Sequence, residues 1–429
     1  MNDVGEQPYI PRIVDLELDE LLSGLPAISL EGPRAVGKTE TALRRARTVH
    51  RLDDEQQLEI TFGNPSRLVE GEPPVLIDEW QRYPASWDLV RRHVDDRTRR
   101  SSFLLTGSAA PSERPTHSGA GRIVTLRMHP LSLAERALTA PTVNLAELLS
   151  GKRRPLAGAS GVTLTDYAAE IARSGFPAIR PFGRTLRTDL LDGYLDRVVD
   201  YDLGETGFGI RDRATLRRWL AAYAAATATS TSFAAVRRAA APGSGELPSP
   251  PTATAYQRAI EQLWLIEELP AWLPTRNRLR RLASAPKHHL ADPALALRCL
   301  GLDETGLLEG RTTDHAIPRD GTLLGAMFES LVALSVRVYA QANRARVAHL
   351  RTHSGEHEVD LIVERRDGRV VALEVKLSAT VRDRDVQHLR WLGDRLGSDL
   401  LDAAVITTGR EAYRRRDGIG VIPAALLTA

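Results

Sequence analysis

The stretch ISLEGPRAVGKTETAL, Ile28 to Leu43, decides the fold of the first part of this 429-residue chain. A short apolar run predicts a buried strand, Gly32–Thr39 fits the pattern G-x-x-x-x-G-K-[ST], and a helix-forming run follows. In that context the backbone N–H groups of the loop wrap phosphates, and the N-terminal end of the helix adds positive charge. The sequence therefore predicts a site for ATP and Mg²⁺, in which the nucleotide-binding residues are Gly32, Pro33, Arg34, Ala35, Val36, Gly37, Lys38, Thr39 and Glu40.

Two side chains of this loop and two beyond it carry the predicted chemistry. Lys38 is expected to reach the β- and γ-phosphates, and Thr39 to offer its hydroxyl to Mg²⁺. Downstream, the apolar run PVLIDEW predicts a buried strand that ends in Asp78 and Glu79. Asp78 is expected to hold Mg²⁺ through its water shell, and Glu79 to orient and activate the attacking water. These four residues predict ATP hydrolysis at one site.

Two further positions are candidates for the same reaction. The run FLLTGS ends in Thr106 and Ser108, whose hydroxyls could bond the water or the γ-phosphate, although an ordinary turn also explains them. Arg122, in GAGRIVTL, is a candidate arginine finger that acts from a neighbouring subunit, and the alternative is a surface arginine. A finger of this kind would require a homo-oligomer.

The chain divides into three predicted domains. Residues 1–140 alternate buried-type strands with helices, which is typical of a parallel α/β sheet. Residues 141–315 are mainly helical and end in a short helix, a linker, a helix and an apolar hairpin, an order similar to a winged helix-turn-helix. Residues 316–429 have the order α-β-β-α-β. The predicted fold class is α/β, with a P-loop sheet domain, a helical and winged-helix-like middle, and a small C-terminal α/β module.

Several motifs together resemble a prokaryotic group of AAA-family ATPases with a C-terminal domain of unknown function. They are YIPR ahead of the loop, GPRAVGKT, LIDEWQRYP, LLTGS, GR and MHPLSLAE, with SGFPAI, GYLDRVVDYDL and APKHHLADPALA in the middle. The resemblance covers nearly the whole chain and implies an AAA+-like core, a winged-helix-like part and a nuclease-like C-terminus. The chain departs from the group at SAPKHHLAD, where an apolar strand usually follows the lysine, and no second sensor arginine is identified.

A second candidate site lies in VDLIVERRDGRVVALEVK, residues 359–376. Asp360 falls on one predicted strand, and Glu374 and Lys376 fall on the next. This pattern resembles the PD-(D/E)xK arrangement of restriction-endonuclease-like nucleases, in which two carboxylates hold Mg²⁺ and the lysine positions or activates water. Two alternatives stay open: a surface hairpin with salt-bridged charges, and a nuclease-like site that no longer cuts.

The turn of this hairpin decides whether the three side chains meet. Glu374 and Lys376 are two residues apart and share a face of their strand. A two-residue turn would point Asp360 to the other face, whereas the three-residue loop Arg366–Gly368 would set it opposite Glu374. The longer loop needs a residue in the left-handed conformation, which Gly368 supplies. We therefore predict the three-residue loop.

Other charged and polar positions extend the two sites. Glu329 on the preceding helix and Gln387 on the following helix are candidate additions to the C-terminal site, although solvated helix faces also explain them. The segment Arg276–His289 carries five Arg or Lys residues and no acids, and RRHVDDRTRR, residues 91–100, is a second basic cluster. Both are candidates for phosphate contacts with DNA, or are simply solvated faces.

Composition narrows the class of protein. The net charge is only +2, and Cys299 is the single cysteine, so an intramolecular disulfide is impossible. No run of about 18 apolar residues occurs, and the first residues lack the pattern of a signal peptide, so the expectation is no membrane span and a cytoplasmic location. The histidines have no convincing ligand spacing.

Lysine usage gives an independent pointer to the two sites. Among the 57 Lys and Arg residues only Lys38, Lys152, Lys287 and Lys376 are lysines. Because arginine and lysine are not interchangeable, a retained lysine suggests a position that needs a compact ammonium. Two of the four lie in the two motifs described above.

Three functional hypotheses follow. The first is a Mg²⁺-dependent AAA+-type ATPase that is associated with DNA. The second is a nucleotide-dependent switch that binds a protein partner, with the nuclease-like module as an inactive scaffold. The third is an ATP-gated, Mg²⁺-dependent DNA nuclease.

Overall fold

The structure is a computed structural model that describes residues 8–96, 102–108, 120–202, 212–241, 247–274, 285–309, 321–352 and 355–429. Its first sheet contains five parallel strands in the order β2-β3-β4-β1-β5. The helices of this part are α1 (Val14–Gly24), α2 (Lys38–Leu43), α3 (Glu55–Gly63) and α4 (Ala85–Asp95), and the strands are β1 (Ala27–Glu31), β2 (Thr48–Arg51), β3 (Val75–Asp78), β4 (Phe103–Gly107) and β5 (Ile123–Arg127).

The three strands predicted from apolar runs, β1, β3 and β4, are adjacent at the centre of this sheet. They are buried along nearly their whole length because helices cover both faces of a parallel sheet. Sequence reasoning missed β2 and β5, the two edge strands, which have exposed positions and no continuous apolar run. The helix predicted over KTETALRRART ends early, at Leu43, where Arg45 turns away to pair with Asp19 at 2.5 Å.

The middle of the chain is helical, as predicted. A short strand and helix, β6 (Val143–Asn144) and α5 (Leu145–Leu149), lead into it. The helices are α6 (Leu164–Arg173), α7 (Arg184–Arg197), α8 (Arg213–Ala225), α9 (Phe233–Ala239), α10 (Pro250–Gln262), α11 (Pro293–Cys299) and α12 (Glu304–Glu309). A turn of π-helix, Val198–Asp202, extends α7.

After α10 the chain forms an antiparallel pairing in which Ile266 bridges Leu290 and Leu269 bridges Lys287. We call residues 265–269 and 287–291 the middle hairpin. The described helices and pairing follow the predicted order of short helix, helix and hairpin, and residues 242–246 of the predicted linker lie outside the described residues. Residues 275–284, which include the basic part of the predicted DNA-contact segment, lie outside the described residues.

The C-terminal module is built on a six-stranded mixed sheet in the order β11-β12-β10-β9-β8-β7. Sequence reasoning missed its edge strand β7, which begins and ends in exposed arginines. The elements are α13 (Gly321–Ala342), β7 (Arg346–Arg351), β8 (Glu358–Glu364), β9 (Val370–Lys376), α14 (Gln387–Leu396), β10 (Leu400–Thr407), β11 (Tyr413–Arg414), β12 (Gly420–Pro423) and β13 (Leu427–Thr428).

The segment before α6 packs on this C-terminal sheet. Leu427 of β13 pairs with Val143 of β6, and Ala159 forms an antiparallel bridge with Glu411. Arg153 also donates to the carbonyl oxygen of Leu400 at 3.0 Å. One hydrophobic cluster contains buried residues from all three parts of the chain.

Helix α13 forms much of that shared core. Among the described residues, its stretch Leu323–Ala342 is long and apolar enough to cross a membrane by length and composition, and 67% of that window is buried inside the protein. Its buried residues Met327, Phe328 and Leu331 belong to the shared cluster. We interpret α13 as a core helix because its apolar surface already has protein partners.

Candidate functional site

The glycine loop between β1 and α2 forms the first site. The carbonyl oxygen of Met128 would lie 2.3 Å from a Cβ added to Gly32, so only glycine fits at this position. Lys38 is buried, and its Nζ donates to the carbonyl oxygens of Gly32 and Pro33 at 2.9 and 2.8 Å. An ammonium group has three N–H donors, so one remains for a phosphate oxygen.

Burial lowers the pKa of Lys38 to about 8, although the nearby acids Glu79 and Asp78 act in the opposite direction. A lysine that has lost its hydration in this way gains most from a negatively charged ligand placed beside it. The loop therefore suits a polyanion such as a triphosphate.

Asp78 lies beside this loop, as predicted. Thr39 donates from Oγ1 to Asp78 Oδ1 at 2.8 Å, and the Thr106 hydroxyl donates to the same oxygen. Strand β4, which carries Thr106, stands between β1 and β3 and so brings the three side chains to one edge of the sheet. A threonine hydroxyl beside a buried carboxylate supplies the oxygen ligands that Mg²⁺ prefers. These residues fit a Mg²⁺ ion held between Thr39, Asp78 and the phosphates.

Glu79 follows Asp78 in the left-handed conformation, with φ of 55°. Ser108 donates from Oγ to Glu79 Oε1 at 2.8 Å, and the Gln81 amide donates to the other carboxylate oxygen. A non-glycine residue in this conformation is uncommon and needs support from its surroundings. The two hydrogen bonds fix the direction of the Glu79 carboxylate, which is the requirement for a group that orients water.

Arg12 also supports this site, and the sequence analysis did not predict that role. Its guanidinium donates to the carbonyl oxygens of Val36 and His129 at 2.8 and 2.6 Å, and its Nε donates to Glu135 Oε1 at 3.1 Å. It thus ties the loop to the segment after β5. The YIPR motif, which ends in Arg12, was the available signal.

The remaining predicted residues of this site occupy different places. Arg34 is half-buried on the loop, whereas Ala35 and Glu40 are exposed. Arg122 precedes β5 and pairs with Asp95 at 2.8 Å. Because β1 and β5 are parallel and the loop follows β1, Arg122 lies at the opposite end of the sheet from Lys38. It cannot reach the site of its own chain, and its role in a neighbouring subunit stays a prediction.

The C-terminal hairpin has the register that we predicted. Gly368 has a φ of 86° and donates from its N–H to the carbonyl oxygen of Arg365 at 2.9 Å, which closes a three-residue loop. Leu361 pairs with Leu373, so Asp360 and Glu374, one position farther from the turn, lie opposite each other. The two-residue turn that would have separated these acids is excluded.

Asp360, Glu374 and Lys376 therefore meet at one end of the hairpin. Asp360 accepts a bond from the N–H of Val375 at 2.9 Å, and Lys376 Nζ donates to Glu374 Oε1 at 2.7 Å. Burial, followed by the charge of Asp360, raises the pKa of Glu374 to about 8. The pKa of Asp360 is lowered because Lys287 and then Lys376 outweigh the effect of burial.

Lys287 of the middle hairpin enters this site, which sequence reasoning missed. Its Nζ lies 2.9 Å from both Asp360 Oδ1 and Glu329 Oε1, and 3.0 Å from Glu358 Oε1. The expected extra acid, Glu329, is thus part of the cluster. Gln387 is exposed, and its amide lies 3.3 Å from Nε2 of the neighbouring His388.

One prediction about this region is wrong, and a second does not fit the observed contacts. Lys287 was assigned to a DNA-contacting segment, but its side chain is 1% exposed and His288 and His289 are buried beside it. The described part of that segment, residues 285–289, packs into the protein because the Lys287 ammonium pairs with Asp360, Glu329 and Glu358. Mg²⁺ held by Asp360 and Glu374 also does not fit this arrangement, because Lys287 already bonds Asp360. Within the described ranges, no group of three or more His, Cys, Asp or Glu is placed to hold a metal ion.

Comparison with protein families separates the three parts of the chain. Residues 25–137 match an AAA domain, residues 164–306 match a domain of unknown function (DUF8612), and residues 324–427 match another domain of unknown function (DUF4143). The AAA match supports a P-loop ATPase in the first part. The other two descriptions name no activity, so the winged-helix and nuclease-like resemblances stay predictions.

Related proteins add similarity over most of the chain. It is 27% identical over 385 residues to the uncharacterized proteins Rv2008c of Mycobacterium tuberculosis and Mb2031c of Mycobacterium bovis, which covers 85% of this chain and 73% of each relative. Among solved structures, the Walker-type ATPase PABY2304 of Pyrococcus abyssi matches with a TM-score of 0.38 and 15% identity, over 66% of this chain and 94% of that one.

Proposed function

We propose that this protein is a Mg²⁺-dependent ATPase whose reaction takes place at the glycine loop. The observation that carries the proposal is the convergence of the Thr39 and Thr106 hydroxyls on Asp78, beside the buried ammonium of Lys38. The match of residues 25–137 to an AAA domain supports ATP as the nucleotide.

Each side chain has a distinct task in this reaction. Lys38 binds the β- and γ-phosphates through its remaining N–H, and Thr39 with Asp78 holds Mg²⁺. The ion, when bound, neutralises charge on the phosphates. Glu79 orients and activates the attacking water, and Ser108 holds Glu79 in the direction that this requires. Arg122 of a neighbouring subunit is the candidate for the transition-state charge, in a homo-oligomer.

Phosphate release and nucleotide binding, measured together, test these roles. Lys38→Ala should abolish ATP binding, whereas Glu79→Gln should still bind ATP but lower kcat by about 100-fold or more, because only water activation is lost. Glu59→Gln, on the exposed face of α3, is the matched control and should behave as wild type. ATP affinity unchanged in Lys38→Ala would refute the site.

Two different kinds of partner follow from the rest of the chain. For the first hypothesis, helices α9 and α10 with the middle hairpin would form the winged-helix-like part that engages DNA. The second candidate is a nucleotide-dependent switch that binds a protein through an inactive nuclease-like scaffold, and the position of Lys287 among the C-terminal acids favours it. ATPase rates with and without single-stranded, duplex and branched DNA separate the two, since only the first predicts stimulation by DNA.

A further inference from the structure

Lys287 is held among acids that belong to a different part of the chain. Its backbone forms two hydrogen bonds with Leu269 across the middle hairpin, both of 2.9 Å. Its side chain reaches Glu329 on α13 and Glu358 and Asp360 on β8, at 2.9, 3.0 and 2.9 Å. An ammonium has three donors and no acceptor, so three carboxylate oxygens satisfy it completely.

This position has the properties of a cation site. Three carboxylates converge on one point, and on the facing strand Glu374 Oε2 is buried with no hydrogen-bond partner among the described atoms. The second oxygen of Glu374 already bonds Lys376. An unpartnered buried carboxylate oxygen is costly, and it marks where a cation or a donor would be favourable.

The observed spacing fits an ammonium rather than a metal ion. The three oxygens lie 2.9–3.0 Å from Nζ, which is normal hydrogen-bond spacing. Mg²⁺ requires oxygens at about 2.1 Å and Ca²⁺ at about 2.4 Å. The carboxylates would have to move inward to hold either ion, and Lys287 would have to leave first.

We propose that Lys287 is the resident cation of this acidic cluster, and that its ammonium excludes divalent cations from the cluster while the middle hairpin is docked. Only removal of the ammonium would leave these carboxylates free to attract a divalent cation. The same contacts fasten the middle hairpin to the C-terminal sheet.

Thermal unfolding with Mn²⁺, in the absence of nucleotide, tests the proposal. Lys287→Met keeps the length of the side chain and removes its charge, so its Tm should fall below that of wild type. Saturating Mn²⁺ should then raise that Tm by about 5 °C, since a ligand that binds only the folded state stabilises it. Wild type, which keeps the ammonium, should show no such rise.

The double variant Lys287→Met, Asp360→Asn should lose the response to Mn²⁺. The proposal is overturned if Lys287→Met folds but does not respond, or if wild type responds in a manner that Asp360→Asn abolishes. Because no nucleotide is present, neither result bears on the proposed ATPase activity.

A measurement on the wild-type chain covers the case in which Lys287→Met does not fold. The four lysines can be followed separately by mass spectrometry during acetylation with an amine-reactive ester. Lys287 should react at least about tenfold more slowly than exposed Lys152, and Mn²⁺ should not change its rate. Equal rates, or acceleration of Lys287 by Mn²⁺ alone, would show that the ammonium does not close the site.

Discussion

Three of the four lysines of this chain lie where a small ammonium is required. Lys38 fits inside the glycine loop, Lys376 bonds Glu374, and Lys287 sits among three carboxylates, whereas Lys152 is exposed. A guanidinium is planar and larger, and it would not fit at the centre of a loop or between three converging oxygens. The rarity of lysine therefore pointed to the two candidate sites, but it did not reveal that Lys287 belongs to the second of them.

The lowered pKa of Lys38 predicts that ATP binding takes up protons. With a pKa of about 8 in the free protein, Lys38 is partly neutral at pH 8.5, and bound phosphates raise its pKa again. Affinity should therefore fall as the pH rises through about 8. Calorimetry at pH 8.5 in buffers of different ionisation enthalpy should detect the uptake.

Lys38→Arg provides the control, because arginine stays charged over this range. Any residual binding by this variant should occur without proton uptake. Equal uptake in both proteins would assign the proton to a different group.

The register of the β8–β9 hairpin is the clearest success at the scale of secondary structure elements. A strand has a side-chain period of two, so one residue more or less in the turn reverses which side chains meet. Gly368 was sufficient to choose the three-residue loop, and that choice set Asp360 opposite Glu374. Edge strands such as β7 were not predicted because polar residues at their exposed positions interrupt the apolar run.

Gly368→Ala should destabilise the protein by about 1 kcal/mol. Its φ of 86° is strained for any residue with a Cβ, although nothing lies within 4 Å of the added atom. Gly193, within α7, also has open space around an added Cβ but has a helical backbone, so Gly193→Ala should stabilise by about 0.5–1 kcal/mol. Urea unfolding of the two variants should give shifts of opposite sign, and shifts of the same sign would contradict the loop geometry.

At the scale of the whole molecule, Glu267 connects the ATPase part to the rest of the chain. Its carboxylate lies 2.6 Å from Arg127 and 3.0 Å from His129, both beyond the glycine loop, and 3.6 Å from Arg337 on α13. The Arg127 guanidinium also stacks 4.0 Å above the ring of Trp264. Since Glu267 and Lys287 belong to opposite strands of the middle hairpin, this hairpin contacts both the end of β5 and the C-terminal acidic cluster.

Glu267→Gln should lower the free energy of unfolding by about 3 kcal/mol, because it leaves two arginines without their buried anion. Burial raises the pKa of Glu267, but His129 and Arg127 outweigh it and lower the pKa overall. The stabilisation is therefore complete above the unfolded pKa of about 4.3 and is lost as the pH falls through the lower folded value. Urea unfolding followed by tryptophan fluorescence at pH 7 and below pH 4 measures both effects.

Glu268→Gln is the neighbouring control. Its carboxylate is more exposed and lies 3.3 Å from His288, so its loss should cost less than about 1 kcal/mol. Equal destabilisation by the two variants would mean that Glu267 does not join the modules.

The amino-acid sequence by itself determined the glycine loop, the acids at the end of β3, the central strands and the hairpin register. Each of these depends on residues close together in the chain, where the period of a strand or the conformation of a glycine settles the outcome. Only the tertiary structure decided that Arg12 clamps the loop and that Lys287 occupies the acidic cluster. Lys287 and Asp360 are separated by 73 positions. Folding brings the two side chains together, and no pattern in the neighbouring residues predicts that this lysine will pair with that carboxylate.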